Sequence, residues 1–141
     1  MTDTATLARE FGEAWNRRDW DHWRAVLHPE AYYVSPDGQR HEGPEAALAG
    51  GQLWAEAMPD GHVEIQGVYA SGDTVTMEQF ARGTHTGELM GIPPTNRQAA
   101  FPVCHVLEVR DGKISAWRFY GDLLTLLTQL GVVQLPEEAR R

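Results

Sequence analysis

Three side chains in this sequence are suited to acid–base chemistry: Asp122, His105 and His85. Asp122 directly precedes an apolar helical stretch, where aspartate is a favoured helix N-cap. Inside an apolar pocket the pKa of the same carboxyl group would rise, because burial disfavours its charged form, and it would become a better general base. Capping and catalysis are therefore both open for Asp122.

His105 lies on a predicted strand and shares one face of it with apolar residues: Phe101, Val103, Leu107 and Val109. A neutral imidazole on that face can donate a hydrogen bond to a carbonyl or enolate oxygen, or orient Asp122. The alternative is a core histidine whose hydrogen bonds are satisfied. His85 ends another strand, where it either holds the following loop or adds a polar group at the mouth of a pocket.

Aromatic residues supply candidate walls for a ligand pocket. Five tryptophans in 141 residues favour a planar ligand, because large aromatic rings stack on planar molecules. We interpret Trp15, Trp54, Phe80 and Tyr33 as substrate-binding residues. Arg82 is flanked by apolar residues and can reach inward to stabilise an oxyanion, with an exposed strand position as its alternative.

The histidines form no recognisable metal-ligand pattern. His85 and His105 provide two possible ligands, but no spacing defines a third and a fourth, so we predict no metal site. The other histidines are interpreted as surface residues: His22, His28, His41 and His62. Cys104 is the single cysteine, which excludes an internal disulfide, and no neighbouring base supports it as a nucleophile.

Charge and length narrow the class of protein. The chain has 12 basic and 20 acidic residues and a formal net charge of −8. No basic cluster is present, so we expect neither nucleic acid nor an anionic membrane as a partner. No signal peptide or membrane span is apparent, which predicts a cytoplasmic protein. The length predicts one domain over residues 1–141, with its core at about 5–133 and a short tail at 134–141.

Hydrophobic periodicity predicts helices in the first half of the chain. A first helix covers about residues 4–17, and Asp19 caps a second short helix, which Pro29 helps to end. A short strand follows at 32–35. Gly43-Pro44 then opens a third helix, because proline is tolerated in a first helical turn.

The second half changes to a period of two, which is typical of strands. The predicted elements are a strand at 63–69, a strand at 74–85, a loop at 87–97, strands at 98–110 and 113–120, and a last helix that ends at Gly131. These elements predict an α+β fold in which a curved, mostly antiparallel sheet forms a cone with helices over its concave side. Whether Arg118 and Tyr120 face its interior depends on a bulge at Gly121 and stays open.

Three segments resemble one known family. The opening FGEAWNRRDWDHWRAVLHPEAYYV is similar to the nuclear transport factor 2-like superfamily, and the ending DGKISAWRFYGDLLTLLTQLGVV includes a characteristic QLG helix. The segment ARGTHTGELMGIPPTNR at residues 81–97 resembles the SnoaL-like polyketide cyclases, or ester cyclases. Asn96 departs from that motif, where the family usually has glycine. The resemblance covers residues 11–133.

The resemblance implies a nuclear transport factor 2-like cone, also described as a cystatin-like α+β barrel, without a metal or organic cofactor. It also implies a homodimer or homotetramer, and Val75 and Val106 are expected on an outer sheet face that a partner covers. In characterised members an aspartate after the last strand acts as acid and base. That role maps onto Asp122, and a pocket histidine maps onto His105.

Together with this resemblance, the sequence favours an enzyme that closes a ring by intramolecular aldol condensation on a hydrophobic, polycyclic or polyketide-like substrate of antibiotic biosynthesis. A dehydratase or an isomerase on the same cone is an alternative, since His85, His105 and Asp122 together suit the elimination of water. A binding module without catalysis is the other alternative, because fold alone does not determine function.

Overall fold

A computed structural model describes residues 3–137 of the chain. The elements are α1 (Thr4–Arg17), α2 (Trp20–Ala25), β1 (Leu27–Val34), β2 (Arg40–Glu42), α3 (Pro44–Ala57), β3 (His62–Ser71), β4 (Thr74–Thr84), β5 (Gln98–Arg110), β6 (Lys113–Gly121) and α4 (Leu123–Gln129). No helix within residues 3–137 is both long and apolar enough to cross a membrane.

Helix α1 is fixed at both ends by side chains. Asp3 accepts a hydrogen bond from the Thr6 amide at 2.7 Å, which satisfies one of the free N–H groups of the first turn. Arg18 ends the helix in the left-handed region, with φ of 57°. Its guanidinium donates to the carbonyl oxygens of Trp15, at 2.9 Å, and Gly61, at 2.8 Å, and so ties the end of α1 to the turn after α3.

The six strands form one sheet in the order β2-β1-β6-β5-β4-β3. All neighbouring pairs are antiparallel except β1 and β6, which run parallel and place Tyr33 beside Trp117. The tight turn at Asp111-Gly112 joins β5 to β6, and both residues have positive φ. The α+β fold with a mostly antiparallel sheet is as the sequence predicted.

One face of the sheet is buried beneath the first three helices. Alternate residues of β4, β5 and β6 point toward this face and are almost inaccessible, including Met77, Leu107 and Trp117. From the helices, Phe11 and Trp23 pack against them, with their rings stacked at a centroid distance of 4.7 Å. This layer of aromatic and aliphatic side chains is the core, and the cavity described below lies within it.

Strand β1 is longer than the sequence indicated. It begins at Leu27 instead of residue 32, and it includes Pro29. Proline lacks a backbone N–H, and the β1–β6 pairing is irregular between Leu27 and Tyr32, so Pro29 lies where no regular ladder bond is needed. Strand β2 was not predicted, because three polar residues, RHE, carry no periodic signal.

The structure contradicts the expected position of Val75 on the outer face of the sheet, and it shows which way Arg118 points. Val75 is fully buried on the inner face and is not available to a partner, whereas Val106 is half-buried. Arg118 pairs with Glu108 and donates to the Tyr32 hydroxyl at 3.1 Å, so it points away from the cavity. Gly121 pairs with Val103 in regular register, and no bulge reverses the alternation there.

Candidate active site

A cavity of about 60 Å³ lies between the inner sheet face and helices α1 to α3. Its aromatic lining comprises Phe11, Trp15, Trp23, Trp54, Phe101, Trp117 and Phe119. Among the described residues, 3–137, none that lines it is an aspartate or a glutamate. The surroundings are therefore apolar, and the few polar groups that reach them determine what chemistry they support.

Three side chains from three strands form a hydrogen-bonded chain at one side of the cavity. The Trp117 indole Nε1 lies 2.8 Å from His105 Nδ1, and His105 Nε2 lies 2.9 Å from Gln79 Oε1. All three residues line the cavity and are buried, with Gln79 only 2% exposed. The sheet order places β6, β5 and β4 side by side, which brings these residues together.

The bonding pattern determines the protonation state of His105. An indole N–H only donates, so His105 Nδ1 must accept and its single proton lies on Nε2. Burial lowers the pKa of His105 to about 3, which keeps the imidazole neutral over the physiological pH range. Both ring nitrogens of His105 are hydrogen-bonded, and the residue also lines the cavity. His105 is therefore at once a satisfied core histidine and a cavity residue, which the sequence analysis had treated as alternatives.

Gln79 was not identified from the sequence, although a signal for it exists. Strand β4 buries Val75 and Met77, and a period of two places Gln79 on the same face. A polar residue on an otherwise apolar strand face is informative, because such a group is rarely buried without a partner. The partner, His105, was itself recognised as a candidate.

Trp15, Trp54 and Arg82 line the cavity, as predicted for substrate-binding residues. Trp15 Nε1 donates to the Gly51 carbonyl oxygen at 2.9 Å, which fixes the ring between α1 and α3. Arg82 borders the cavity but is exposed, and its guanidinium packs over Phe80 on the opposite face of β4, which is the exposed strand position given as its alternative. Trp15 and Trp54 therefore lie at the cavity wall, and the role of all three residues in binding stays a prediction.

Phe80 and Tyr33 do not line the cavity, contrary to what the sequence predicted. Phe80 lies on the opposite face of β4, where Arg82 packs over its ring at 4.7 Å. Tyr33 stacks on Trp117 from outside the cavity, at a centroid distance of 4.0 Å, and burial raises its pKa to about 12. It lines a separate outer groove of about 310 Å³, and Trp54 contributes to both spaces.

Asp122 is the N-cap of α4 and is exposed to solvent. Its carboxylate accepts hydrogen bonds from the Thr125 hydroxyl, at 2.6 Å, and the Thr125 amide, at 3.0 Å. These bonds lower the pKa of Asp122, whereas the sequence analysis expected burial to raise it. Asp122 is not among the residues that line the cavity, so the structure shows the cap and does not bring Asp122 to His105.

His85 is completely buried and holds the loop that follows β4. Its Nδ1 lies 3.0 Å from the Thr95 hydroxyl, and its backbone N–H and carbonyl bond Arg97 and Asn96 across the loop. It does not line the cavity. Asn96 has φ of 60°, a left-handed conformation in which glycine is favoured and asparagine is among the best tolerated alternatives.

The remaining histidines do not form a metal site. His28, interpreted from sequence as a surface residue, is only 9% exposed, because Arg110 and Asp111 cover its ring. His41 stacks on Tyr33. Within residues 3–137, no group of three histidine, cysteine or acidic side chains is arranged to hold a metal ion.

Comparison with known proteins identifies the relatives of this chain. The model of the SnoaL-like polyketide cyclases matches residues 5–130. The chain belongs to the SnoaL-like polyketide cyclase family. It is 30% identical over 137 residues to aklanonic acid methyl ester cyclase DnrD of Streptomyces peucetius, covering 93% of this chain and 92% of that protein. It is also 30% identical over 122 residues to nogalonic acid methyl ester cyclase of Streptomyces nogalater, covering 84% and 90%.

Solved structures show the same fold. A SnoaL-like protein from Jannaschia sp. CCS1 superimposes with a TM-score of 0.83 at 25% identity, covering 95% of this chain and 99% of that one. IdmH from Streptomyces antibioticus gives a TM-score of 0.76 at 31% identity, covering 89% and 96%. The predicted family and its nuclear transport factor 2-like fold are therefore confirmed.

The family's QLG motif has a structural explanation in this chain. The Gln129 side chain accepts from the Ala100 amide at 2.8 Å and donates to the Ala100 carbonyl oxygen at 2.9 Å. Leu130 is buried in the core, and Gly131 follows with φ of 78°. The motif thus fixes α4 to the start of β5 and ends the helix, without contributing a group to the cavity.

Proposed function

We propose that this protein is a cofactor-independent cyclase that closes a ring by intramolecular aldol condensation on a polyketide-type substrate. The observation that carries the proposal is an apolar cavity with a buried polar chain, Trp117–His105–Gln79, in a member of the SnoaL-like family. Relatives named for aklanonic acid and nogalonic acid methyl esters make a carbonyl-rich, polycyclic substrate the natural candidate.

The proposed reaction needs a base, a site for a negatively charged oxygen and an imposed geometry. The base removes a proton from a carbon between carbonyl groups, and the enolate carbon then attacks a second carbonyl carbon of the same molecule. The resulting alkoxide takes up a proton, so substrate and product are isomers and no co-reactant is consumed. Holding the two carbons together in the cavity removes much of the entropic barrier.

We assign the base to Asp122, following the family motif, and this assignment requires a local rearrangement. The carboxylate has to leave Thr125, because both of its oxygens are occupied there. Its neighbour Gly121 packs against the cavity residues Phe119, Val103 and Phe101, so the end of β6 adjoins the cavity wall. A ligand that displaces this wall would bring the substrate carbon toward Asp122.

The size of the cavity also bears on the proposal. At about 60 Å³ it is well below the roughly 300–1,000 Å³ of typical ligand pockets. Trp54 separates it from the outer groove of about 310 Å³. We therefore propose that a polycyclic substrate extends across both spaces and that Trp54 moves when it binds.

The decisive test compares Asp122→Asn with Asp122→Ala in turnover of aklanonic acid methyl ester and nogalonic acid methyl ester. Asparagine caps a helix about as well as aspartate, whereas alanine typically costs about 1 kcal/mol. Asp122→Asn should therefore keep the unfolding temperature and lose roughly 10²–10⁴-fold in kcat, the usual contribution of a general base. Asp122→Ala should lose both. Turnover by Asp122→Asn near the parent rate would remove Asp122 as the base.

A second candidate function is ligand binding without turnover. Two observations favour it: Asp122 is exposed, and no carboxylate of the described residues lines the cavity. In that case the parent protein binds the esters, measured by quenching of tryptophan fluorescence, and returns them unchanged. Cyclised product from the parent protein would rule this candidate out.

The predicted homodimer or homotetramer remains a proposal. Exposed apolar residues that a partner could cover include Tyr120 and Leu124, at 53% and 50% exposure. Light scattering at micromolar concentration should give a multiple of the 15.8 kDa chain mass. A mass of one chain would contradict the prediction.

A further inference from the structure

We infer that the Gln79 side-chain amide presents an N–H group to the cavity as the hydrogen-bond donor for a carbonyl or enolate oxygen of the ligand. His105 and Trp117 act as positioning residues that set the direction of this amide. The inference rests on the proposed function in one respect only, namely that the cavity is where the ligand binds. It adds the group that holds the ligand oxygen.

The direction follows from Trp117, because it is the one residue of the three whose hydrogen-bonding role cannot be reversed. The Trp117 indole only donates, so His105 accepts at Nδ1 and donates from Nε2. Gln79 must therefore turn its Oε1 toward His105. Its NH₂ group, with two donors, is left on the side away from His105.

The surroundings of Gln79 Nε2 leave it short of partners. Among residues 3–137 its partner is Met77 Sδ at 3.7 Å, and a thioether is a weak acceptor. The second N–H has no protein acceptor in the described chain. Nε2 also approaches Gly12 so closely that a Cβ there would lie 2.7 Å from it. Gly12 lines the cavity, so the missing side chain in the middle of α1 leaves room for the amide at the cavity wall.

A second buried N–H donor, on Trp23, also indicates that the ligand brings a hydrogen-bond acceptor. Trp23 is fully buried and lines the cavity, and its Nε1 has no hydrogen-bond partner within the described residues. A buried donor without a good acceptor is costly, so the unpartnered Trp23 Nε1 and the weakly partnered Gln79 Nε2 on one cavity indicate a ligand that brings acceptors.

The polarity of the site defines the chemical class of that ligand. The cavity lining offers buried N–H donors and no carboxylate, and both nitrogens of His105 are already bonded. A carbonyl or enolate oxygen only accepts hydrogen bonds, so it suits these donors, and an ammonium group does not. Negative charge that develops on such an oxygen during enolate formation would be stabilised by donors fixed in advance.

The experiment measures binding of 1-indanone and of indane, which has the same rings without the carbonyl. Both are followed by tryptophan fluorescence and by ¹⁵N spectra of the side-chain amides. We expect 1-indanone to bind more tightly and to shift the Gln79 NH₂ signal, while indane leaves that signal in place. One neutral hydrogen bond corresponds to about a two- to tenfold difference in Kd.

Gln79→Met is the matched variant, since methionine keeps the length of the side chain and removes the amide. It should abolish the preference for 1-indanone over indane. If this variant fails to fold, the parent protein still decides the matter. The carbonyl stretch of bound 1-indanone should then lie at lower frequency than in cyclohexane, as for a hydrogen-bonded carbonyl, and an unshifted stretch overturns the inference.

Trp117→Phe tests the positioning roles. Phenylalanine keeps an aromatic ring but removes the obligate donor, so His105 can move its proton to Nδ1 and Gln79 can reverse. The preference for 1-indanone should fall, and ¹⁵N spectra should show the change of tautomer at His105. A preference and a tautomer equal to those of the parent protein would contradict the positioning roles.

The outcomes separate this inference from the proposed function. Equal affinity for 1-indanone and indane overturns the role of Gln79 and leaves the cyclase proposal to the Asp122 variants. Failure of both compounds to bind removes the cavity as the ligand site and overturns both. Preferential binding of 1-indanone without any turnover of the esters supports the donor role and contradicts the cyclase.

Discussion

The cavity and the QLG and GIPPT motifs, which help to identify the family, are two different regions of this molecule. The cavity draws its polar groups from the middle of three strands, at Gln79, His105 and Trp117. The two motifs lie at connections between elements, where His85 and Thr95 hold the loop after β4 and Gln129 holds α4. The contacts of His85 and Gln129 therefore secure connections around the cavity and add no polar group to it.

This difference separates two kinds of information in the sequence. Residues at chain reversals depend on backbone geometry, as Asn96 shows with its left-handed conformation. Residues that line the cavity depend on the ligand. Substitutions at the chain reversals should therefore change stability without changing ligand preference, whereas substitutions of Gln79 should change the ligand preference.

The largest expected effect is a loss of folding stability at low pH, caused by His105 in the cavity. His105 has a pKa of about 3 in the fold, below its ordinary value of 6.5, so the unfolded chain binds the additional proton as pH falls. Stability is therefore present above pH 6.5 and is lost toward pH 3, at up to about 1.4 kcal/mol per pH unit. Urea unfolding between pH 7 and pH 4 measures this loss of stability.

The control is His105→Gln, which keeps a hydrogen-bond donor and an acceptor but does not titrate. The stability of this variant should therefore fall less steeply with pH. Equal slopes for the variant and the parent protein would refute the assignment of the effect to His105.

A smaller effect is expected at the loop after β4. His85→Leu keeps a buried side chain of moderate size but removes the hydrogen bonds to Thr95, at a cost of roughly 1–3 kcal/mol in the free energy of unfolding. Chemical denaturation measures this cost. Thr95→Val is the matched control, because it removes the hydroxyl partner of the same hydrogen bond and leaves His85 in place. The Kd of 1-indanone should not change. A lost preference for 1-indanone at unchanged stability would place His85 in the ligand site instead.

The smallest effect is expected at Asn96. Asn96→Ala should cost about 1 kcal/mol, because a left-handed conformation is unfavourable for a residue with an ordinary side chain. Asn96→Gly should be close to neutral, since glycine adopts that conformation readily. Thermal unfolding of the two variants side by side is sufficient. Equal stabilities for alanine and glycine would show that φ at this position is not what selects the residue.

Much of the fold follows from local sequence patterns. The helices at 4–17 and 44–57 have clear periodicity and end signals, and the turn at Asp111-Gly112 joins its strands as predicted. The capping role of Asp122 also follows from local sequence and is confirmed by its bonds to Thr125. These features depend on interactions between residues a few positions apart.

Two errors have a single cause, the alternation of β4. We expected Phe80 inside and Val75 outside, and the structure has the reverse for both. A shift of one residue exchanges the two faces of a strand, so both residues change sides together. The same alternation, correctly assigned, places Gln79 inside. Its contact with His105 depends on which strands are neighbours, and that information is not local.

The parallel pairing of β1 with β6 has a consequence for how the chain reaches its native state. Tyr33 lies beside Trp117, so two segments that are far apart in the sequence pair with each other. Contacts of such separation close late, because the entropy of ordering the intervening chain must be overcome first. On the ribosome, β1 and β2 have no sheet to join until β6 has emerged. During that interval Tyr33 and Ala31, buried in the final fold, are open to other chains and to chaperones.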